Sequence, residues 1–498
     1  MTQLTISHLS YTYPDSPEAL FNDVNLTFSQ GWTALIGDNG CGKTTLAHLI
    51  AGTLTPDAGS IAPKLVVALA EQDTSEVPRA LSDFACDYGQ EALEVRETLS
   101  IEDEWLWRYD TLSAGQKKRI QIALALWQQP DVLIVDEPTN HLDLPSRQAV
   151  AEALRGFSGI GLLISHDRAL LNVITQNCLF IDAGTMELIH GTYEQGVEER
   201  RKAALNRNRD YLKERRELVR IKAVREQTRA KAAQKKGRSP KASPRDSDAR
   251  EKANHAKATS KDGILTRQVS ALNSRLGKLE RDAHTRPQGK YNGEIPTFGH
   301  RAARSVLVHL ESQTIPFGPD AEAGVSIPEL YVGSSDKIAL MGANGVGKTT
   351  LARVLIKAVP DDIATLVLPQ ELKAPQRSAV LNQLHELSDR ECGQVLSVAA
   401  QLNARPETFL EGEALSPGEL RKLCLALAVL QDPALLILDE PTNHLDIHSI
   451  EALSHVLQAF PGAVVLISHD QTLLQEVCTV RWEIEQDETG NSRLSLSS

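Results

Sequence analysis

Ile36–Ala47 reads IGDNGCGKTTLA, and Met341–Ala352 reads MGANGVGKTTLA. Both fit the pattern G-x-x-x-x-G-K-[ST]. The first follows a strand-like stretch, TALIG (Thr33–Gly37), and precedes a helical one, so it predicts a strand, a glycine-rich loop and a helix in that order. The glycines let backbone N–H groups curl around phosphate oxygens, and the helix N-terminus adds positive potential. Lys43 and Lys348 are placed to reach the β- and γ-phosphates of a nucleotide. The Thr44 and Thr349 hydroxyls are placed to ligate Mg2+.

Working outward from these loops, a longer repeat emerges. LIVDEPTNHLDL (Leu133–Leu144) recurs as LILDEPTNHLDI (Leu436–Ile447), and LLISHD (Leu162–Asp167) recurs as VLISHD (Val465–Asp470). Lys43 and Lys348 are 305 residues apart; Asp136 and Asp439, like His166 and His469, are 303 apart. A near-constant offset through several motifs means duplicated domains, expected at 1–196 and 304–498. An apolar strand that ends in a carboxylate beside a phosphate loop puts Asp136 and Asp439 where a magnesium partner belongs. The adjacent Glu137 and Glu440 can orient or deprotonate water. Pro138 and Pro441 follow, so either glutamate could instead be a helix N-terminal charge.

The chain has 498 residues, too many for one core, with 41% hydrophobic and 24% charged residues, as in ordinary globular protein. No apolar run approaches the ~18 residues that span a bilayer. The N-terminus, MTQLTISHLS, lacks the pattern of a secretory signal. Six cysteines stand at least 32 residues apart, without metal or redox spacing, and read as free cytosolic thiols.

The formal net charge of −12 hides a steep asymmetry. Arg200–Lys290 holds 28 Lys/Arg against 10 Asp/Glu, a net of +18, while the remainder carries −30. A concentrated basic segment binds polyanions by releasing their counterions; a solvated charged helix is the plain alternative. Within it, Leu265, Val269, Leu272, Leu276 and Leu279 keep a 4-3-4-3 spacing, a coiled-coil seam. Leu205, Leu212 and Val219 recur every seven residues in a weaker first half. GRSPKASPRD (Gly237–Asp246) separates the halves and permits a reversal. The expectation is an antiparallel helical hairpin over 197–303 with a basic tip.

Further motifs bring a family into view. Leu112-Ser-Ala-Gly-Gln116 and Leu415-Ser-Pro-Gly-Glu419 resemble the signature of ATP-binding-cassette (ABC) ATPases, Gln72 and Gln370 their Q-loop glutamines, and His166 and His469 their switch histidines. The resemblance implies an α/β fold class: two P-loop ABC ATPase domains joined by a long antiparallel α-helical hairpin linker. It also implies head-to-tail pairing, each ATP lying between the P-loop of one cassette and the signature of the other, within a monomer. The first site would use Gly37, Asp38, Asn39, Gly40, Cys41, Gly42, Lys43, Thr44, Thr45 and Gln72, with Ser416 and Gly418 from the other cassette. The second would use Gly342, Ala343, Asn344, Gly345, Val346, Gly347, Lys348, Thr349, Thr350 and Gln370, with Ser113 and Gly115. Thr44, Gln72 and Asp136, and likewise Thr349, Gln370 and Asp439, would hold Mg2+. Glu137 and Glu440 would be general bases beside His166 and His469. Tyr13 resembles the aromatic that stacks on adenine, or is an ordinary strand tyrosine.

The finer resemblance is to the ABC-F proteins, which carry two cassettes, DEPTNHLD in both halves, a basic helical linker and no membrane domain. It implies ATP hydrolysis in the cytoplasm on the ribosome, in the E-site region, with the linker near P-site tRNA and the peptidyl-transferase centre, as a translation factor or a protector against antibiotics. Lys235, Lys236, Arg238, Lys241 and Arg245 are the candidate contacts to ribosomal RNA and tRNA. There are departures from the family pattern. Only about 40 residues separate Gln72 from the first signature, leaving no room for an extra helical arm. Pro417 replaces the usual glycine and removes an N–H donor near the nucleotide. Phe317 is the nearest adenine-stacking candidate in the second cassette. These departures suggest unequal sites. Two other functions compete: the tandem ATPase subunit of an importer, which predicts a short neutral linker, and an ABC ATPase acting on DNA, whose zinc cysteines are missing here.

Overall fold

The computed structural model describes residues 2–140, 142–182, 185–236, 298–317, 323–404, 406–410, 415–486 and 491–497. Met1–Gly196 and Tyr291–Ser498 form one compact unit, and Val197–Lys290 is the other.

In the first cassette six strands pair in the order Val67–Ala70, Val132–Asp136, Ile160–Ile164, Gly31–Gly37, Asn177–Asp182 and Thr185–His190. The first five run parallel, and the last turns back antiparallel. Val132–Asp136 and Ile160–Ile164 are buried at every residue. Continuous burial explains why they read as apolar runs and not as alternating strands, since a parallel sheet is covered on both faces. The strand bearing the first phosphate loop lies inside this sheet, so the loop leaves from the carboxyl end of a rigid core, where α/β sheets place ligands. Gln3–Tyr11, Phe21–Ser29 and Ala58–Ala62 form a separate antiparallel sheet.

The second cassette repeats the parallel order with Thr365–Leu368, Leu435–Asp439, Ala463–Ile467, Lys337–Gly342 and Val480–Gln486. Its sheet grows to eight strands, because Ser492–Ser497, Ala323–Ile327 and Gln313–Phe317 extend one edge. In both cassettes the signature serine starts a helix. Ser113 caps Ala114–Trp127 and Ser416 caps Pro417–Gln431, each in a reciprocal capping box with the residue three positions on. Pro417 is the first residue of its helix, where the missing N–H would have had no intrahelical acceptor.

Helix Tyr193–Lys236 runs for 44 residues, about 66 Å at 1.5 Å per residue. Leu205, Leu212 and Val219 are exposed on it. The expected tip, Gly237–Asp246, and the Leu265–Leu279 seam lie outside the described residues. Among the described residues no helix is long and apolar enough to cross a membrane.

Candidate active sites

Each phosphate loop turns on left-handed glycines. Gly40 and Gly42 have φ of 77° and 103°, and Gly345 and Gly347 repeat them at 82° and 104°. The space is filled as well: a Cβ on Gly42 would lie 2.6 Å from Phe21 Cζ, and one on Gly347 would lie 2.4 Å from Val325 Cγ2 and 3.2 Å from Phe317 Cδ1. Only glycine meets both demands. Lys43 Nζ donates to the Gly37 and Asp38 carbonyls at 2.7 and 3.0 Å. Lys348 Nζ does the same to Gly342 and Ala343 at 2.7 and 2.8 Å. Tyr13 Oη lies 2.7 Å from Thr45 Oγ1, and Phe317 packs on the second loop, so both candidate aromatics stand at a phosphate loop.

Thr44 Oγ1 donates to Asp136 Oδ2 at 2.7 Å, and Thr349 Oγ1 to Asp439 Oδ2 at 3.1 Å. Burial raises both aspartate pKa values. A cavity of about 390 Å³ opens on Thr44 and Asp136 and is also lined by Gln72 and His48. Its threonine, carboxamide and single buried carboxylate oxygens suit a hard cation such as Mg2+, which takes one or two protein carboxylates and relies on substrate phosphates for the rest. Among the described residues no group of three or more His, Cys, Asp or Glu is arranged to hold a metal ion by itself. At the second site Gln370 is exposed, and its carbonyl accepts from Arg421 Nη2.

The adjacent glutamates sit on strained backbone. Glu137 and Glu440 have φ of 48° and 46°, a left-handed conformation that costs a non-glycine residue about 1–3 kcal/mol and collects at functional sites. A hydrogen bond from each N–H to the neighbouring strand, at Ile164 O and Ile467 O and 2.8 Å in both cases, holds them there. The strain turns each side chain toward a switch histidine. His166 Nε2 is 3.4 Å from Glu137 Oε1, and His469 Nε2 is 3.6 Å from Glu440 Oε1. These two Oε1 atoms are buried without a hydrogen-bond partner, so each is an acceptor for a proton from outside the protein. Burial pushes Glu137 up to about 8, with Asp136 adding to it. Burial pushes Glu440 up to about 7 against the pull of Arg147. Burial and the nearby lysines push both histidines down to about 3. Glutamates that lose a proton near neutrality suit general bases.

The cassettes meet at these loops. A Cβ on Gly418 would fall 2.3 Å from His444 O and 3.7 Å from Asn39 Nδ2, so the second signature abuts the first phosphate loop. Asn39 Nδ2 donates to His444 O at 3.1 Å, and Asn403 Nδ2 to Asp38 Oδ1 at 2.8 Å. At the second site Asp143 Oδ2 accepts from the Asn344 N–H at 3.5 Å, and His469 Nε2 lies 3.1 Å from Asn344 Oδ1. Gly115 is buried, and the Ser113 hydroxyl accepts from the Gln116 N–H as a cap. Lys235 and Lys236 lie on the last turn of helix Tyr193–Lys236; Arg238, Lys241 and Arg245 are outside the described residues.

Motif reading passed over a pair of buried cations. Lys118 donates to the Asp136 carbonyl at 3.1 Å and also to the Glu71 carbonyl. Arg421 donates to the Glu440 carbonyl at 2.6 Å and to the Gln370 carbonyl. Each ties the carboxylate strand to the Q-loop. The signal was present: both are basic residues inside an otherwise buried helix, 303 positions apart.

Residues 21–140 and 326–443 match the family model described as ABC transporter. The chain is similar to the ribosome protection protein VmlR of Bacillus subtilis, at 28% identity over 99% of this chain and 87% of that protein. It is similar to the energy-dependent translational throttle protein EttA of Mycobacterium tuberculosis, at 25% identity over 94% of this chain and 90% of that one. The fold matches a solved structure of RNase-L Inhibitor with a TM-score of 0.63 and 18% identity, over 98% of this chain and 90% of that chain.

Proposed function

We propose, from the premise that this chain is a tandem ABC ATPase of the ABC-F family, that it binds the ribosome when ATP holds its cassettes together and modulates translation through its basic linker. The observation that carries the ribosomal part is the +18 segment between the cassettes, opening in helix Tyr193–Lys236. Relatives whose names state ribosome protection and translational throttling match the chain over more than nine-tenths of its length. An importer ATPase has no use for such a segment, whereas rRNA and tRNA phosphates supply the counter-charge. Binding in the E-site region of a cytoplasmic ribosome, with the linker near P-site tRNA, belongs to the same proposal. So does protection of the ribosome.

In the catalytic cycle Lys43 and Lys348 neutralise the phosphates, and the loop N–H groups hold them. Thr44, Asp136 and Gln72, with Thr349, Asp439 and Gln370, would hold Mg2+, which supplies charge neutralisation on the phosphate oxygens. Water attacks the γ-phosphorus and its proton passes to Glu137 or Glu440. The bond to the β-phosphate oxygen breaks, leaving ADP and phosphate. His166 and His469, neutral at physiological pH, orient the reacting groups. Tyr13 stacks on adenine. The contacts at Gly418, Asn39 and Asp143 lie where closure over nucleotide joins the cassettes, so opening after hydrolysis sets the residence time.

The test is the double Glu137→Gln, Glu440→Gln variant with ATP, sedimented through a sucrose gradient with ribosomes. It should co-migrate with them, less so as salt rises. A variant that binds ATP yet stays at the top of the gradient would overturn the ribosomal reading.

A further inference from the structure

Among the described residues two arginines cross between the cassettes, and both come from the first. Arg147 stands one turn into helix Leu144–Arg155, just behind the DEPTNHLD stretch. Its Nε donates to Leu142 O at 3.1 Å, and its Nη1 to Asp167 Oδ2 at 3.0 Å and to His469 O at 3.1 Å. The side chain is 16% exposed. One guanidinium therefore joins the DEPTNHLD stretch of the first cassette, the residue after that cassette's switch histidine, and the switch histidine of the second. Asp167 also caps the next helix, through the Leu170 N–H at 3.0 Å, so it is a fixed anchor.

The pseudo-symmetric position, 303 residues on, holds Ile450, buried and without a polar atom on its side chain. Arg168 follows the same direction. It reaches Glu476 of the second cassette through Nη1 and Nη2 at 3.3 and 3.4 Å, while the repeat places uncharged Gln471 and Val173 at the mirrored positions.

We infer that Arg147 is a positioning residue for the second site, linking turnover there to the switch loop of the first cassette, with no arginine making the mirrored contact among the described residues. Its planar fork holds three acceptors in one geometry, which an ammonium cannot reproduce. Two of its contacts lead to the His166–Asp167 segment and the DEPTNHLD stretch of its own cassette. The third ends on the His469 carbonyl, two residues from Ile467, whose carbonyl fixes the Glu440 N–H at 2.8 Å. A shift of the first switch loop is thereby passed to the second site's catalytic pair. Ile450 offers no donor for the opposite route. This rests on the ATPase roles of the two sites and not on ribosome binding.

The test uses the full chain without ribosomes and reads basal ATP turnover. Glu137→Gln and Glu440→Gln each silence one site. If neither alone lowers turnover, the ATPase roles themselves fail, and that is seen before Arg147 is altered. In the Glu137→Gln chain, where the second site works, Arg147→Met should lower kcat on the order of tenfold, the loss of one charge-assisted bond, with KM changed less than about twofold. In the Glu440→Gln chain the same change should alter kcat less than about twofold. Arg147→Lys should recover part of the loss. Arg168→Gln, which removes the crossing ion pair to Glu476 but no hydrogen bond to His469, should affect both sites only slightly. Equal losses from Arg147→Met in the two backgrounds, no loss in either, or a loss confined to KM would each overturn the inference. So would a site-selective loss from Arg168→Gln as large as that from Arg147→Met.

Discussion

Across the first site, among the described residues, Asn39 donates to the His444 carbonyl and Asn403 to the Asp38 carboxylate. Across the second, Arg147 reaches the His469 carbonyl and Asp143 receives the Asn344 N–H. The groups expected to meet nucleotide barely differ, down to the strained glutamates at φ of 48° and 46°. Nucleotide chemistry constrains the loop, the carboxylates and the histidine in the same way at both places. Residues that bridge the cassettes answer only to their own partner, so a duplicated chain can let them diverge while each site keeps its machinery.

The sharpest break of that comparison comes from the glutamates. The double Glu137→Gln, Glu440→Gln chain should lose about 10²–10⁴-fold in turnover, the usual worth of a general base. The single variants should leave residual rates that differ from each other, because each residue reports the site with a different bridge. Steady-state phosphate release measures both. Equal residual rates would mean that the bridges have no effect on chemistry.

Next in size is a buried ion pair on one side of the interface. Lys422 Nζ is 2.9 Å from Asp446 Oδ2, with side-chain exposures of 5% and 1%. Burial works against the Asp446 charge, and Lys422 overrides it and holds the carboxyl far below its ordinary range. Asp446 also receives Asn403, the residue that reaches across to Asp38. Lys422→Met strands that carboxylate and should destabilise the second cassette by about 3–5 kcal/mol. The mirrored Arg119 donates to the Leu99 and Ser100 carbonyls at 3.2 and 3.3 Å instead. Arg119→Met should therefore cost less, about 1.5–3 kcal/mol. Urea unfolding compares the two, and similar costs would show that the pairing is not what separates the cassettes.

The parts legible in the sequence are those with a fixed local spacing. GDNGCGKTT and DEPTNHLD carry their own loop and strand geometry, so the phosphate loops and the carboxylates at the strand ends could be anticipated from the repeat, and the glutamate–histidine pairs from the family resemblance. Pro417 lacks an N–H donor, and the fold puts it at a helix start, where an N–H has no intrahelical partner. Arg147 and Asn403 could not be read, because their partners lie 322 and 365 residues away and no local pattern marks them. Lys118 and Arg421 fall between: the repeat aligns them, but only the fold shows the carbonyls they join. The heptad residues Leu205, Leu212 and Val219 are exposed on their helix, and the segment expected to pair with them lies outside the described residues.

The smallest effect concerns the histidines, and it tests whether the asymmetry stops short of them. His166 and His469 are both held down to about 3 by burial and by the lysine of their own phosphate loop, with Arg147 adding to His469 alone. An unfolded histidine takes a proton near pH 6.5. The folded pKa is depressed, so the stability each histidine contributes is present above about 6.5 and is lost as pH falls toward 3. Between pH 6.5 and 5.5 that loss is about 1 kcal/mol per histidine. Glu137 and Glu440 are shifted upward and respond with the opposite sign in the same range, so the raw pH profile of the chain mixes the two. Differences isolate the histidines. The stability of the nucleotide-free protein minus that of His469→Gln should shrink by about 1 kcal/mol from pH 6.5 to 5.5, and the His166→Gln difference should shrink equally. Urea unfolding at the two pH values measures both. A clear inequality would carry the difference between the sites past the bridging residues into the switch histidines, and the second site's dependence on Arg147 would then have an electrostatic part as well as a geometric one.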